Sequence, residues 1–359
     1  MKDSPWPGDS RRARPAARPH RRPRQGNSCS ATTARSSAAD SHQPIGSARL
    51  PHSGTCAGPG LGRASGRAGE GDPLFAAGAG LALLDGHLRT DPPAAGALRV
   101  RLALKSAAAS AKMLRVNTDE RALRDLRFAV GDPLGPAANL LSHWRDLAGR
   151  PPSLDPDRIG DAAARLDLGL ANTTALTESL LAHSRAGDPV SAAAKTAATV
   201  FSHFPDAPAA LPEILALWAF DMVIAIRLRW PRPLPLIATK ILDPTLRSPG
   251  GVRRPRPGDP AWPTAAAGAI ALAAASALDL AADLDRRAKT LIAAAPKLRA
   301  KPAAKIVDLL LAEDCVSPAE VARQAPMTGR AARRLFDRLA ALGAAREFSG
   351  RPTFRLYGL

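Results

Sequence analysis

Almost nowhere in this chain do apolar side chains alternate with a period of two, the spacing that a half-buried strand requires. Apolar residues instead recur in helix-like stretches, several of them opened by helix-start signals. Asp72-Pro73, Asp188-Pro189 and Ser317-Pro318 each place a side-chain oxygen at the N-cap and a proline at the first helical position, where its missing N–H costs nothing. Such patterning predicts an all-α multi-helix bundle. The one exception is Phe348–Phe354 near the C-terminus, which reads as a β-hairpin.

The expected helices run in order over Leu74–Leu88, Ala94–Leu114, Asp119–Phe128 capped by Thr118, Ala137–Ala148, Asp155–Leu168, Thr174–Ser184 and Val190–Phe204. Ala209–Leu228 follows, apolar on every face and so central. Trp230-Pro231 ends it, before a short helix over Leu234–Leu242. A Pro/Gly/Arg-rich stretch, 248–263, then separates these from a long helix, Thr264–Ala295. The domains read as a disordered basic tail over 1–72, a helical body over 73–295, a linker over 296–302 and a terminal domain over 303–359.

That terminal domain carries the most specific local chemistry. Ser317-Pro318-Ala319-Glu320 is a capping box, flanked by Val316 and Val321 as a hydrophobic staple. Pro326-Met327 is a turn and Thr328 the next N-cap. Ala332, Leu335, Leu339 and Leu342 then form one apolar face of a helix that Gly343 terminates. Helices over Ile306–Ala312, Pro318–Gln324 and Gly329–Leu342, closed by a hairpin, predict a winged helix-turn-helix. A fold of that kind offers its third helix to the DNA major groove. Arg330, Arg333, Arg334 and Arg338 stand opposite the apolar face, suited to guanine or phosphate. Thr328 lies at the same helix start, where free N–H groups can hold a phosphate. Arg351 at the hairpin turn and Arg355 on the returning strand are placed as a wing. Phe348, Phe354, Leu356 and Tyr357 are expected to pack that wing on the helices.

Charge agrees with this reading. The formal net charge is +18, of which residues 1–72 hold +7 and residues 296–359 hold +6. A basic arm and a basic terminus flank a nearly balanced body, the electrostatic outline of a nucleic-acid binder. Arginine is also common throughout the chain, so charge alone does not decide the matter.

Enzymatic chemistry finds little support. Cys29, Cys56 and Cys315 form no CxxC, and the seven histidines show no metal-ligand spacing, so no metal or cofactor is expected. His143 and His183 fall in amphipathic stretches and read as surface or hydrogen-bonded side chains. Asp279 and Asp283 share a helix face, but Arg286 and Arg287 offer Asp283 simple ion pairs. Asp221 is the exception, a carboxylate inside the apolar run Ile214–Ile226 without a basic neighbour one turn away. It calls for a partner such as Arg89, Arg227, Arg229 or Arg232 in a buried ion pair, or else marks a ligand pocket. The apolar runs Ile214–Ile226 and Ala265–Leu278 are too short or too alanine-rich for a membrane span, and no secretory signal is apparent. A cytoplasmic protein without a membrane partner is the expectation.

Several segments together resemble a bacterial family known as domain of unknown function 1403. They are Asp91-Pro92-Pro93-Ala94-Ala95-Gly96-Ala97-Leu98, Ala216-Leu217-Trp218 with Trp230-Pro231-Arg232-Pro233, the stretch from Ala295 to Lys301, and the stretch from Ser349 to Leu359. The resemblance spans residues 72–359 and implies no activity. The terminus is also similar to the helix-turn-helix tails of some filamentation-type AMP transferases, whose His-Pro-Phe and Gly-Asn-Gly-Arg core is absent here. The sequence therefore points to a DNA-binding transcriptional or plasmid-maintenance regulator, not an enzyme, whose helical body oligomerises or senses a partner. The competing reading is a helical interaction module whose winged helix docks another protein.

Overall fold

The computed structural model describes residues 71–129, 135–170, 173–247, 253–298, 303–351 and 354–359. The basic arm read as disordered lies almost wholly outside them. The described residues fall within one compact unit, in which the C-terminal segment packs on the helical body.

The body contains α1 (Pro73–Arg89), α2 (Ala95–Met113), α3 (Glu120–Leu126), α4 (Pro136–Gly149), α5 (Pro156–Ala164), α6 (Thr173–Arg185), α7 (Pro189–Ser202), α8 (Ala210–Leu228) and α9 (Trp262–Ala294). Asp72, Asp155 and Asp188 cap α1, α5 and α7 by accepting from backbone N–H groups two or three residues on. Helix α3 is capped by Asp119 rather than Thr118. Asp119 is the residue with extended backbone, and its carboxylate accepts from Ala122 N at 2.8 Å.

Helix α8 is central, as its uniformly apolar sequence requires; every residue from Pro212 to Ala225 is buried. Helix α7 lies along it, α1 pairs with α9, and α2 pairs with α4. Indole N–H groups join these layers: Trp144 donates to Ser110 Oγ (2.9 Å), Trp262 to the Ala194 carbonyl (3.0 Å) and Trp230 to Asp85 (2.9 Å). Buried rings thus keep their one polar group paired. Helix α9 with its final 3-10 turn, Trp262–Leu298, is long and apolar enough to cross a membrane. Half of its most apolar window is buried in the protein's own interior.

The expected helix over 234–242 shrinks to a single 3-10 turn, Ile237–Thr239. Pro233 and Pro235 remove donors and push the residues before them out of helical conformation. Asp221 explains how this turn is held. Its carboxylate accepts from Leu236 N (2.8 Å) and Ile237 N (3.2 Å), and among the described residues no arginine reaches it. Arg227 donates instead to the Ser184 and Gly187 carbonyls, and Arg89 pairs with Asp85. The ion pair expected of Asp221 is therefore replaced by a backbone anchor. Burial outweighs the two N–H contacts and raises its pKa well above the ordinary carboxylate value.

His143 also departs from expectation. It is buried, with its ring edge-on to Trp144 and within 6.3 Å of the Trp218 ring. Asp283, by contrast, pairs with Arg286 (3.0 Å) and Arg287 (2.7 Å) as its spacing predicts.

Candidate nucleic-acid interface

After α9 the chain continues through α10 (Ala303–Ala312), α11 (Pro318–Gln324) and α12 (Gly329–Ala341) to a short antiparallel pair, β1 (Arg346–Glu347) and β2 (Tyr357–Gly358). The hairpin expected over 348–354 is the loop between these strands. Among the described residues its pairing extends as far as Phe348 N donating to the Leu356 carbonyl, and positions 352 and 353 of the expected hairpin lie outside them. Val316, between α10 and α11, bridges Tyr357 through bonds of 2.8 and 2.9 Å in both directions.

Helix α11 begins as its capping box predicts, with Ser317 Oγ accepting from Glu320 N at 3.1 Å. The reciprocal half is absent, because Glu320 turns to Arg127 of the body at 2.7 Å. Burial raises the Glu320 pKa, with Arg127 opposing it.

Thr328 Oγ1 accepts from Ala331 N (3.2 Å) and starts α12. Ala332, Phe336 and Leu339 face the core, while Leu335 and Leu342 are half-buried. Phe336, three and four residues from its buried neighbours, was legible by spacing but not included in the predicted face. It stacks on Tyr357 with ring centroids 4.5 Å apart, and the Tyr357 hydroxyl donates to Asp337.

Arg330, Arg333, Arg334 and Arg338 are all exposed, and among the described residues none lies within ion-pair distance of a carboxylate. The remaining acid on α12, Asp337, is taken by Arg355 at 3.2 Å. Arg355 also approaches Glu347 at 3.9 Å. Arg351 pairs with Asp125 of the body at 3.0 Å. The four helix arginines thus present free positive charge, whereas the two expected on the wing are engaged with protein carboxylates.

The rest of the hairpin loop also faces the body. Phe354 packs edge-on against Phe128, and Phe348 lies beneath the guanidinium groups of Arg101 and Arg124. Arg121 donates to the Ser349 carbonyl at 2.8 Å. Deeper in, Asp314 accepts from Arg101 Nε and Arg124 Nε, both at 2.5 Å. Burial alone would raise the Asp314 pKa, but the two arginines bring it below the ordinary value. Arg127 and Arg145 hold Glu313 at 3.5 and 3.0 Å. A row of body arginines therefore receives a row of carboxylates around the start of α11. These contacts join residues 168 to 228 positions apart, a separation at which local sequence patterns carry no sign of them.

Among the described residues no cluster of three metal-ligating side chains occurs. Cys315 is buried, and burial pushes its thiol up to about 12, so it is not a ready nucleophile.

The family model for "Protein of unknown function (DUF1403)" matches residues 52–359. That match begins 20 residues before the resemblance read from sequence motifs and takes in part of the basic arm. No curated protein matches the chain.

Proposed function

The chain belongs to this family of unknown function, and we propose that it is a DNA-binding regulator whose C-terminal segment acts as a winged helix-turn-helix. Three consecutive helices, a terminal hairpin and the Val316–Tyr357 bridge between α10 and α11 support that reading of the fold. The observation that carries the DNA reading is the set Arg330, Arg333, Arg334 and Arg338, exposed on α12 without carboxylate partners among the described residues. Charges that a protein keeps unpaired on one helix face suit a polyanion. Thr328, its hydroxyl already capping the helix, leaves the first-turn N–H groups of α12 as a further phosphate contact. Arg351 and Arg355 serve the reading less directly, because ion pairs with Asp125 and Asp337 already hold them. The exposed Phe75 and Leu83 of α1 offer a surface for self-association.

The test is retention of duplex DNA by the full chain as salt is varied. Contacts from four arginines predict a slope of log affinity against log salt of about −3 to −4. Arg333→Ala with Arg334→Ala should make that slope shallower by about two units. No retention at about 50 mM salt would sink the proposal. An unchanged slope in the double variant would move the interface elsewhere and favour α12 as a protein-docking face.

A further inference from the structure

A cavity of about 450 Å³ opens in the body between α2, α9 and the segment that follows the Ile237–Thr239 turn. Its volume lies in the range of metabolite sites. Three of its lining residues are lysines: Lys105 and Lys112, two turns apart on α2, and Lys240 at the end of the Ile237–Thr239 turn. Thr239 and Ser276 add hydroxyl groups, and Leu102, Leu242 and Leu280 supply an apolar surface. Leu242 is 39% exposed and so is available to a ligand.

The charges of this lining do not cancel. Glu120 is its sole carboxylate, and it reaches Lys105 at 3.4 Å. Among the described residues Lys112 and Lys240 lie within ion-pair distance of no carboxylate, although Asp243 acts on Lys240 from further away. Glu120 has a second partner in Arg124 at 3.7 Å, so a ligand that draws Lys105 away does not leave it unpaired. Ammonium groups lining a partly apolar cavity suit an anion with an organic body.

We propose that this cavity binds a small organic anion, its phosphate or carboxylate held by Lys105, Lys112 and Lys240 and its apolar portion laid against Leu242 and Leu280. The site is separate from α12 and stands whether or not the chain binds DNA.

The test uses calorimetry on the full chain with 4-nitrophenyl phosphate as probe, and neutral 4-nitrophenol and inorganic phosphate as comparisons. The phosphate ester should bind saturably at millimolar concentration or below, more tightly than either comparison. Lys112→Gln with Lys240→Gln should weaken it about tenfold or more, because two charge-assisted contacts are lost. Ala109→Phe, which fills the cavity without changing charge, should do the same. Lys289→Gln with Lys297→Gln, on the exposed surface of α9 and the turn beyond it, should leave binding unchanged. In the unmutated chain the probe should slow reductive methylation of Lys112 and Lys240 relative to Lys289, a readout that needs no variant to fold. Absence of saturable binding overturns the proposal. So does equal loss in the surface-lysine variant, or labelling of Lys112 and Lys240 that the probe does not slow.

Discussion

His143 makes the folded chain sensitive to acid. Burial first, then the nearby Arg165 and Arg158, lower its pKa from 6.5 to about 3, with only the Ala162 backbone opposing them. In the folded protein the ring stays neutral, while in the unfolded chain it takes a proton below about pH 6.5. The unfolded state therefore binds more protons through this interval, and stability falls as pH falls, by about 1.4 kcal/mol per unit. His143→Leu should remove that one-proton component from the pH dependence of urea unfolding below about pH 6.5, so the variant's slope should differ from the wild type's by this amount. A wild-type slope retained in the variant would assign the acid response to other groups. Asp221 contributes with the opposite sign. Its raised pKa means the fold binds the extra proton, so its contribution falls as pH rises from the ordinary carboxylate range to its folded value. The oddity of Asp221 was readable from sequence, since a carboxylate among Ile214–Ile226 demands a partner. The partner itself was not, because its donors are backbone N–H groups exposed by a proline-broken segment 15 and 16 residues later. Periodicity likewise put His143 on a helix, but not between two tryptophans of different helices.

Helix boundaries were largely legible because they are local. An aspartate or serine followed by proline specifies an N-cap and first turn without help from the rest of the chain, and α1, α7 and α11 begin at such pairs. What α3 does was illegible for the converse reason. Arg121, Arg124 and Arg127 recur every three residues, which in sequence is indistinguishable from a solvated helix face. In the fold they receive Ser349, Asp314 and Glu320. Gly96 completes this contact between elements. A Cβ there would stand 2.7 Å from Ala312 Cα, so only glycine lets α2 approach the end of α10. The strength of the docking is testable at Asp314. Replacing it with alanine leaves Arg101 and Arg124 facing one another without their shared carboxylate. Breaking a buried pair from one side costs about 3–5 kcal/mol. Urea unfolding should report a loss of that size for Asp314→Ala, with faster hydrogen exchange over residues 303–351. A loss below about 1 kcal/mol would mean the carboxylate behaves as an exposed surface pair.

For the whole molecule, this docking means that α10 to β2 do not constitute an independent reading head. Phe348, Asp314, Glu313 and Glu320 all turn toward body arginines. An excised fragment 303–359 would expose an aromatic ring and three carboxylates whose positive partners had been removed. The body thus neutralises the acidic side of the segment and leaves α12 as its uncompensated face. A segment of this length is also marginal as an independent domain. The fragment should consequently melt without a sharp transition and retain duplex DNA at least tenfold more weakly than the full chain at the same salt. Circular dichroism melting and a matched salt titration measure both. If the fragment melts cooperatively and binds with the full chain's affinity, the arginine row on the body is a tether and not a support. If it folds but binds weakly, the body must itself supply charge to the interface.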